Sequence, residues 1–122
     1  ARARRIFRSL VRSFRPSPDA TLSFYYCGLA AAEYNLGLRK AADRSVENAE
    51  LALQSGGRTL NRVRMAATLC ALHSWLGRQA AAEEWRRYLS AIDCPEETKR
   101  VFLDRSDLIV RRSTESSSLV LL

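Results

Sequence analysis

The segment LAAAEYNLGLRKAADRSVENA, residues 29–49, has a counterpart 40 residues later in LCALHSWLGRQAAAEEWRRYL, residues 69–89. Each segment places a glycine between two runs of helix-forming residues, at Gly37 and at Gly77, and an alanine five positions after that glycine. Glycine permits a tight turn, and a small residue after it allows two antiparallel helices to approach closely. A repeated hairpin of this kind buries its apolar side by stacking on a neighbour. The repeat therefore predicts an all-α fold with two stacked antiparallel hairpins.

Helical periodicity continues outward from the two turns, and strand-like alternation is nearly absent. Apolar residues recur every three or four positions in four predicted helices, with inward positions at Leu22, Tyr25, Tyr26, Leu29 and Leu36; Ala42, Val46, Ala49 and Leu53; Leu60, Val63, Ala67, Cys70 and Leu76; and Ala82, Trp85, Leu89 and Ile92. Ser17 and Thr59 are suitable N-terminal caps for two of these helices. A further helix is predicted from Pro95 to Arg111, with an apolar side of Val101, Phe102, Leu108 and Ile109.

The pattern divides the chain into three regions. Residues 1–15 form a basic amphipathic N-terminal helix, residues 17–111 a single α-helical domain, and residues 112–122 a flexible tail. The first boundary is set by Pro16, because proline disfavours helix in the residue before it. We expect the helix that starts at Pro95 to cap the stack of hairpins.

The basic charge of the chain is concentrated at its beginning. The 122 residues carry a formal net charge of +7. Six arginines and no acid lie within the first 15 residues, namely Arg2, Arg4, Arg5, Arg8, Arg12 and Arg15. The remainder of the chain is close to neutral. The net positive charge therefore indicates a polyanionic partner only for the N-terminal helix. With 47% apolar residues the chain can bury a core, and no apolar run reaches the roughly 18 residues of a transmembrane helix.

The two hairpins resemble tetratricopeptide repeats over about residues 20–93. The matching positions are the leucine–small pair, the turn glycine and the alanine after it: Leu29-Ala30, Gly37 and Ala42 in the first repeat, Leu69-Cys70, Gly77 and Ala82 in the second. Tyr26 matches the family's first aromatic position. The sequence departs from the family in its 40-residue period, where the family has about 34, and in Glu33 and His73, which stand where the family prefers tyrosine.

The resemblance implies a groove that is lined by the first helix of each hairpin and holds a peptide or a partner helix. Its expected lining is Phe24, Tyr34, Asn35, Arg64, Thr68 and Trp75, with the smaller residues Cys27, Gly28, Ala31, Ala67, Ala71 and Ser74 between them. Cys27 and Ala31 replace the polar residues with which some members hold a terminal carboxylate. A mostly apolar, aromatic-edged groove suits an amphipathic helix. The same residues could instead pack against the last helix or the N-terminal one.

Catalytic and metal-binding patterns are not evident. Cys70 and His73 are three positions apart on one predicted helix, which is half of a metal site, and no second pair completes it. The adjacent carboxylates Glu83-Glu84 and Glu96-Glu97 diverge by about 100° around a helix, so neither pair is suited to acid–base catalysis. We therefore expect a protein that is not an enzyme and needs no cofactor or metal.

Two functions are compatible with these features. The first is a non-catalytic interaction module, an adaptor or a subunit of an assembly, which binds a protein partner or a second copy of itself through the groove. Its anchors would be the aromatic residues Tyr25, Tyr34, Trp75 and Tyr88. The alternative is a small basic helical protein, dimeric in one version, that binds double-stranded RNA by shape through backbone contacts. Its contacts would come from Arg58, Arg62, Arg64 and Arg78 and from the arginines of the first 15 residues.

The N-terminal helix allows more than one role. An acid-free, arginine-rich amphipathic helix is typical of organelle presequences, of segments that lie on anionic membranes and of nucleic-acid-binding arms. Cys27, Cys70 and Cys94 are an odd, widely spaced set, which indicates free thiols in a reducing compartment. We expect the cytoplasm, or the mitochondrion if the helix is a targeting segment.

Overall fold

The computed structural model describes residues 1–14 and 20–121, with backbone alone for Phe14 and Ala20. Across these residues the chain is helical and contains no strand, which confirms the predicted all-α class. The helices are α1 (Arg2–Phe14), α2 (Ala20–Asn35), α3 (Arg39–Gln54), α4 (Thr59–Trp75), α5 (Gln79–Ala91) and α6 (Glu96–Ser116). The predicted cap Ser17 and the basic residue Arg15 lie outside the described residues.

The helices form two compact units, Ala1–Gly57 (unit 1) and Arg58–Leu122 (unit 2). In unit 1, α2 packs against both α1 and α3; in unit 2, α4 packs against both α5 and α6. Gly56 and Gly57 precede the boundary with φ values of +119° and +123°, which side chains rarely tolerate. Each unit thus has a central helix, a hairpin partner and a third helix.

The two hairpins have the same turn. Gly37 has φ +79° and Gly77 φ +78°. The amide after each glycine donates to the carbonyl five residues earlier, from Leu38 to Glu33 at 2.9 Å and from Arg78 to His73 at 2.8 Å. Together with the bond from each glycine amide to the residue three before it, this is a Schellman C-cap in both hairpins. The 40-residue repeat of the sequence is therefore also a repeat of backbone geometry.

The predicted inward residues of the second helix of each hairpin are confirmed. Ala42, Val46, Ala49 and Leu53 of α3 are all buried, and so are Ala82, Trp85, Leu89 and Ile92 in and after α5. Three other inward assignments were wrong: the side chains of Leu36, Leu60 and Val101 are 45%, 57% and 63% exposed. Leu36 precedes the turn glycine, and Leu60 lies in the first turn of α4, where fewer neighbouring residues surround a side chain.

The boundaries of α4 and α6 differ from their predictions. Thr59 is the first helical residue of α4 rather than its cap, and Arg58 takes the cap position without a side-chain hydrogen bond. Helix α6 continues beyond the predicted end at Arg111 to Ser116. It ends where Ser117 adopts the left-handed conformation, with φ +57°.

The tail after α6 folds back on that helix, unlike the flexible tail predicted from residue 112. The amide of Val120 donates to Oγ of Ser113 at 2.9 Å, and Leu119 is only 3% exposed. Serine hydroxyls satisfy backbone groups at helix ends, so the polar run 113–118 continues and terminates the helix where its composition alone favours a loop.

Candidate functional site

The groove face predicted on α2 is partly covered by α1. Phe7 of α1 lies directly over Gly28, and its ring occupies the space that a Cβ at Gly28 would need. On the same helix Cys27 and Ala31 are 1% and 8% exposed. Phe24 is 38% exposed and Asn35 is exposed. The interior of this predicted groove is thus occupied by a helix of the same chain.

A buried carboxylate of α2 binds α1 about one turn before Phe7. Oε2 of Glu33 accepts a hydrogen bond from Nε of Arg4 at 3.0 Å, and its Oε1 accepts one from the Ser45 hydroxyl at 2.6 Å. The Glu33 side chain is 4% exposed, and a buried carboxylate needs such partners to offset its lost hydration. Glu33 therefore joins α1 and α3 to α2. Because Arg4 meets Glu33 while Phe7 meets Gly28, α1 runs antiparallel to α2.

Half of the predicted groove residues of α4 are buried. Ala67, Thr68 and Ala71 are 2%, 8% and 0% exposed, and the Thr68 hydroxyl donates to the Arg64 carbonyl at 3.0 Å. Arg64, Ser74 and Trp75 are half-buried. On this helix the predicted lining is therefore accessible at Arg64 and near the C-terminal end, and it is buried between them.

The predicted aromatic anchors all lie half-buried, and the three tyrosines among them have identified partners. The Tyr34 hydroxyl donates to Asp43 Oδ1, which connects α2 to α3. Tyr25 packs edge-to-face against Phe24 with ring centroids 5.8 Å apart. Tyr88 packs in the same manner on Trp85 at 5.0 Å. Their partial burial and these contacts indicate that the tyrosines stabilise their units, and each anchor keeps part of its surface accessible.

The arginines predicted to bind nucleic acid in unit 2 do not form one cluster. Arg62 stacks 5.7 Å from the centroid of the Tyr88 ring and donates from Nη2 to the Tyr88 hydroxyl at 3.1 Å, so it holds α4 to α5. Arg58 precedes α4 and Arg78 follows its end. A 17-residue helix separates those two by about 25 Å.

Three arginines of α1, in contrast, line a cleft between α1 and α3. Its volume is about 370 Å³. One wall is formed by α1, the other by α3, and α2 forms the floor, with the lining residues Arg4, Arg8, Val11, Arg12, Tyr26, Leu29, Glu33, Ala41, Arg44, Ser45 and Asn48. Arg2 and Arg5 are exposed and do not line this cleft. It therefore brings three of the predicted arginines together and adds Arg44.

Two of the three cysteines, Cys27 and Cys70, are buried. Burial raises the pKa of the Cys27 thiol from 9.0 to about 12, and the negative charge of Glu50 adds to that rise. The pKa of Cys70 is also raised, mainly by burial, although the Arg86 charge and a hydrogen bond from Ser106 act in the opposite direction. Both thiols stay protonated and poorly reactive at neutral pH. Among residues 1–14 and 20–121 no group of three or more potential metal ligands is found.

Phe7, Glu33 and Arg44 are the residues of this region that sequence reasoning did not select. Phe7 belongs to the apolar stripe of the N-terminal helix, and the sequence does not indicate which helix this stripe packs against. Glu33 differs from the residue that the repeat pattern favours at its position. A glycine in the middle of α2 was the available signal, because glycine in a helix interior often marks a close approach by another group.

No protein-family model, no curated protein and no solved structure matches this chain. Within the described part of the chain, no helix combines the length and the hydropathy needed to cross a membrane.

Proposed function

We propose that the protein is a non-catalytic interaction module of tetratricopeptide-repeat-like design, an adaptor or assembly subunit that binds an amphipathic partner helix. The observation that carries this proposal is the packing of α1 on α2, in which Phe7 covers Gly28 and Arg4 pairs with Glu33. It supports the proposal because a face that accepts one amphipathic helix in cis has the shape and chemistry to accept another in trans.

The shared turn geometry gives separate support for a repeat-based scaffold. Gly37 and Gly77 have φ values within one degree of each other. The following residues, Leu38 and Arg78, also agree closely, with φ/ψ of −89°/68° and −93°/70°. Repeat scaffolds reuse one hairpin and present the faces of its first helices to partners. Three free cysteines support a reducing compartment as the place of action.

The contacts between α1 and α2 indicate which residues a partner helix needs. An aromatic residue must face Gly28, and an arginine three positions before it must reach Glu33. Val11 of α1 is 6% exposed, so an apolar residue is needed four positions after the aromatic one. The partner helix therefore carries the pattern Arg-x-x-Phe-x-x-x-Val, with basic residues on its outer side.

The test uses the full chain and a labelled peptide of residues 1–14. Phe7→Ala weakens the chain's own α1 and frees the face of α2, so we expect this variant to bind the peptide at least about 10-fold more tightly than the wild type, whose face is occupied. Fluorescence anisotropy gives both affinities, and circular dichroism verifies that each variant is helical.

Two further variants of the Phe7→Ala chain serve as controls. Gly28→Leu fills the space that the peptide's Phe7 needs and should abolish binding. Leu51→Ala changes a leucine of α3 that is 62% exposed and should leave the affinity unchanged. Equal affinity of the Gly28→Leu and Leu51→Ala chains would mean that the peptide binds elsewhere, and the proposal would then fail.

Nucleic-acid binding is the second candidate, favoured by one observation. Arg2, Arg5, Arg8 and Arg12 are all exposed on α1, and an exposed arginine row suits phosphate contacts. Anisotropy of labelled double-stranded RNA over a salt series tests it on the full chain. The proposal is supported if the wild type loses affinity steeply as salt rises and the Arg2→Gln/Arg5→Gln variant does not. It is contradicted if this variant binds the RNA with the same affinity as the wild type.

A further inference from the structure

The cleft between α1 and α3 collects positive charge from two helices. Arg8 and Arg12 extend from one wall and Arg44 from the other, and the polar side chain of Asn48 also lines the space. Arg4 lies at the same wall but its charge is compensated by Glu33, 3.0 Å away. The convergence comes from the packing of α1 and α3 on a common helix, not from a run of arginines in the sequence.

The arginines that line the cleft differ in their ion pairing. In the part of the chain formed by residues 1–14 and 20–121, no ion pair is found for Arg8, Arg12 or Arg44, whereas Arg4 has Glu33. Like charges around a cleft repel one another and raise the local concentration of anions. A bound anion would relieve that repulsion and use guanidinium donors that otherwise face solvent.

The spacing of the arginines and the volume of the cleft indicate the size of the anion that would fit. Arg8 and Arg12 are one helical turn apart, about 6 Å along the axis, so a single small anion would not engage both in the fork geometry that arginine prefers. A volume of about 370 Å³ lies at the small-molecule end of the usual range for ligand pockets. We propose that this cleft is a binding site for a small oligophosphate, a compact anion with two or more linked phosphate groups.

The experiment measures binding of inorganic tripolyphosphate to the full chain by isothermal titration calorimetry at fixed salt. The cleft variant is Arg8→Gln/Arg44→Gln. Its matched control, Arg2→Gln/Arg39→Gln, also removes one arginine from α1 and one from α3, at exposed positions that do not line the cleft. Both variants lose the same net charge, so a difference between them reports position.

We expect the cleft variant to bind tripolyphosphate at least about 10-fold more weakly than the wild type, with the control within about twofold. Orthophosphate should bind more weakly than tripolyphosphate because it cannot span Arg8 and Arg12. Melting followed by circular dichroism establishes that both variants fold. If the cleft variant does not fold, Arg12→Gln replaces it and is compared with Arg2→Gln, which loses the same charge.

Three results would overturn the proposal. The first is no binding by the wild type at about 1 mM ligand, a range that includes even weak sites. The second is an equal loss in the cleft variant and its control, which indicates unspecific attraction to a basic helix. The third is no response to tripolyphosphate but cleft-dependent binding of a single-stranded RNA 12-mer, which would make this a nucleic-acid contact instead.

Discussion

Units 1 and 2 contain the same type of hairpin, but the third helix that packs on it comes before the hairpin in unit 1 and after it in unit 2. In unit 1 the central helix α2 is joined by α1, which precedes the hairpin, and in unit 2 the central helix α4 is joined by α6, which follows it. The turns agree within a few degrees, so local sequence determines the hairpin. The third helix depends on side chains that are distant in sequence, and there the units differ.

The difference is visible at equivalent positions of the two central helices. Gly28 of α2 corresponds to Thr68 of α4, and only the glycine admits an aromatic ring at the helix surface. Glu33 corresponds to His73, and both are buried, at 3% and 4% exposure. Glu33 there meets an arginine from α1. The two hairpins thus share their turn, whereas the positions at which α1 docks on α2 carry different residues in α4.

The largest expected difference between the units concerns their equivalent leucines. Leu69 is fully buried and Leu29 is 7% exposed beside the cleft. Leu69→Ala should lower the free energy of unfolding by about 3–4 kcal/mol and Leu29→Ala by about 2 kcal/mol, because less tightly enclosed sites leave smaller cavities. Urea unfolding measures both. Equal losses would show that the two central helices are packed alike.

Gly28→Thr gives unit 1 the residue that unit 2 has at this position. The added side chain collides with Phe7, so we expect a loss of about 2 kcal/mol and faster tryptic cleavage at the arginines of α1. The double variant Phe7→Ala/Gly28→Thr removes the ring and should recover part of that difference. A Gly28→Thr chain as stable and as protease-resistant as the wild type would contradict the docking of α1.

The free energy of unfolding should depend on pH through the ionisation of Cys27. Its folded pKa is about 12, above the ordinary value of 9.0, so between these values the folded state keeps a proton that the unfolded state releases. Stability should therefore be unaffected below pH 9 and fall above it, by up to about 1.4 kcal/mol per pH unit. Chemical unfolding of wild type and Cys27→Ala at pH 8 and pH 10 measures the difference. Identical pH slopes would mean that Cys27 does not contribute.

The smallest effect should be equal in the two units. Gly37→Ala and Gly77→Ala both place a Cβ at a φ near +79° in otherwise open space, and each should cost about 1 kcal/mol. Thermal unfolding of the two variants is the measurement. Costs that differ by much more than the experimental error would show that the hairpins are less alike than their backbones indicate.

Sequence periodicity was sufficient for the helices because their buried stripes and turn glycines are local signals. Ala42 and Val46 were assigned correctly for this reason, as were Trp85 and Leu89. Exposed ends of helices, as at Leu60, carry the same periodicity without burial, and the pattern cannot separate the two cases.

The cleft could not be predicted, because it depends on which face of α2 receives α1. Arg8 and Arg12 were recognised as basic residues, but Arg44 lies in a segment of mixed charge and had no distinguishing neighbour in sequence. The pairing of Arg4 with Glu33 spans 29 positions. Periodicity specifies which side of a helix is apolar and does not specify the helix that covers it.

The order of helices has a consequence for how the chain responds to trimming. Unit 1 has its central helix second and unit 2 has its central helix first, so the third helix precedes the hairpin in unit 1 and follows it in unit 2. Both hairpins therefore lie between α1 and α6 in the sequence. Limited digestion that cuts within α1 or within α6 would remove a docked helix and leave both hairpins intact, and would uncover the face of α2 or of α4.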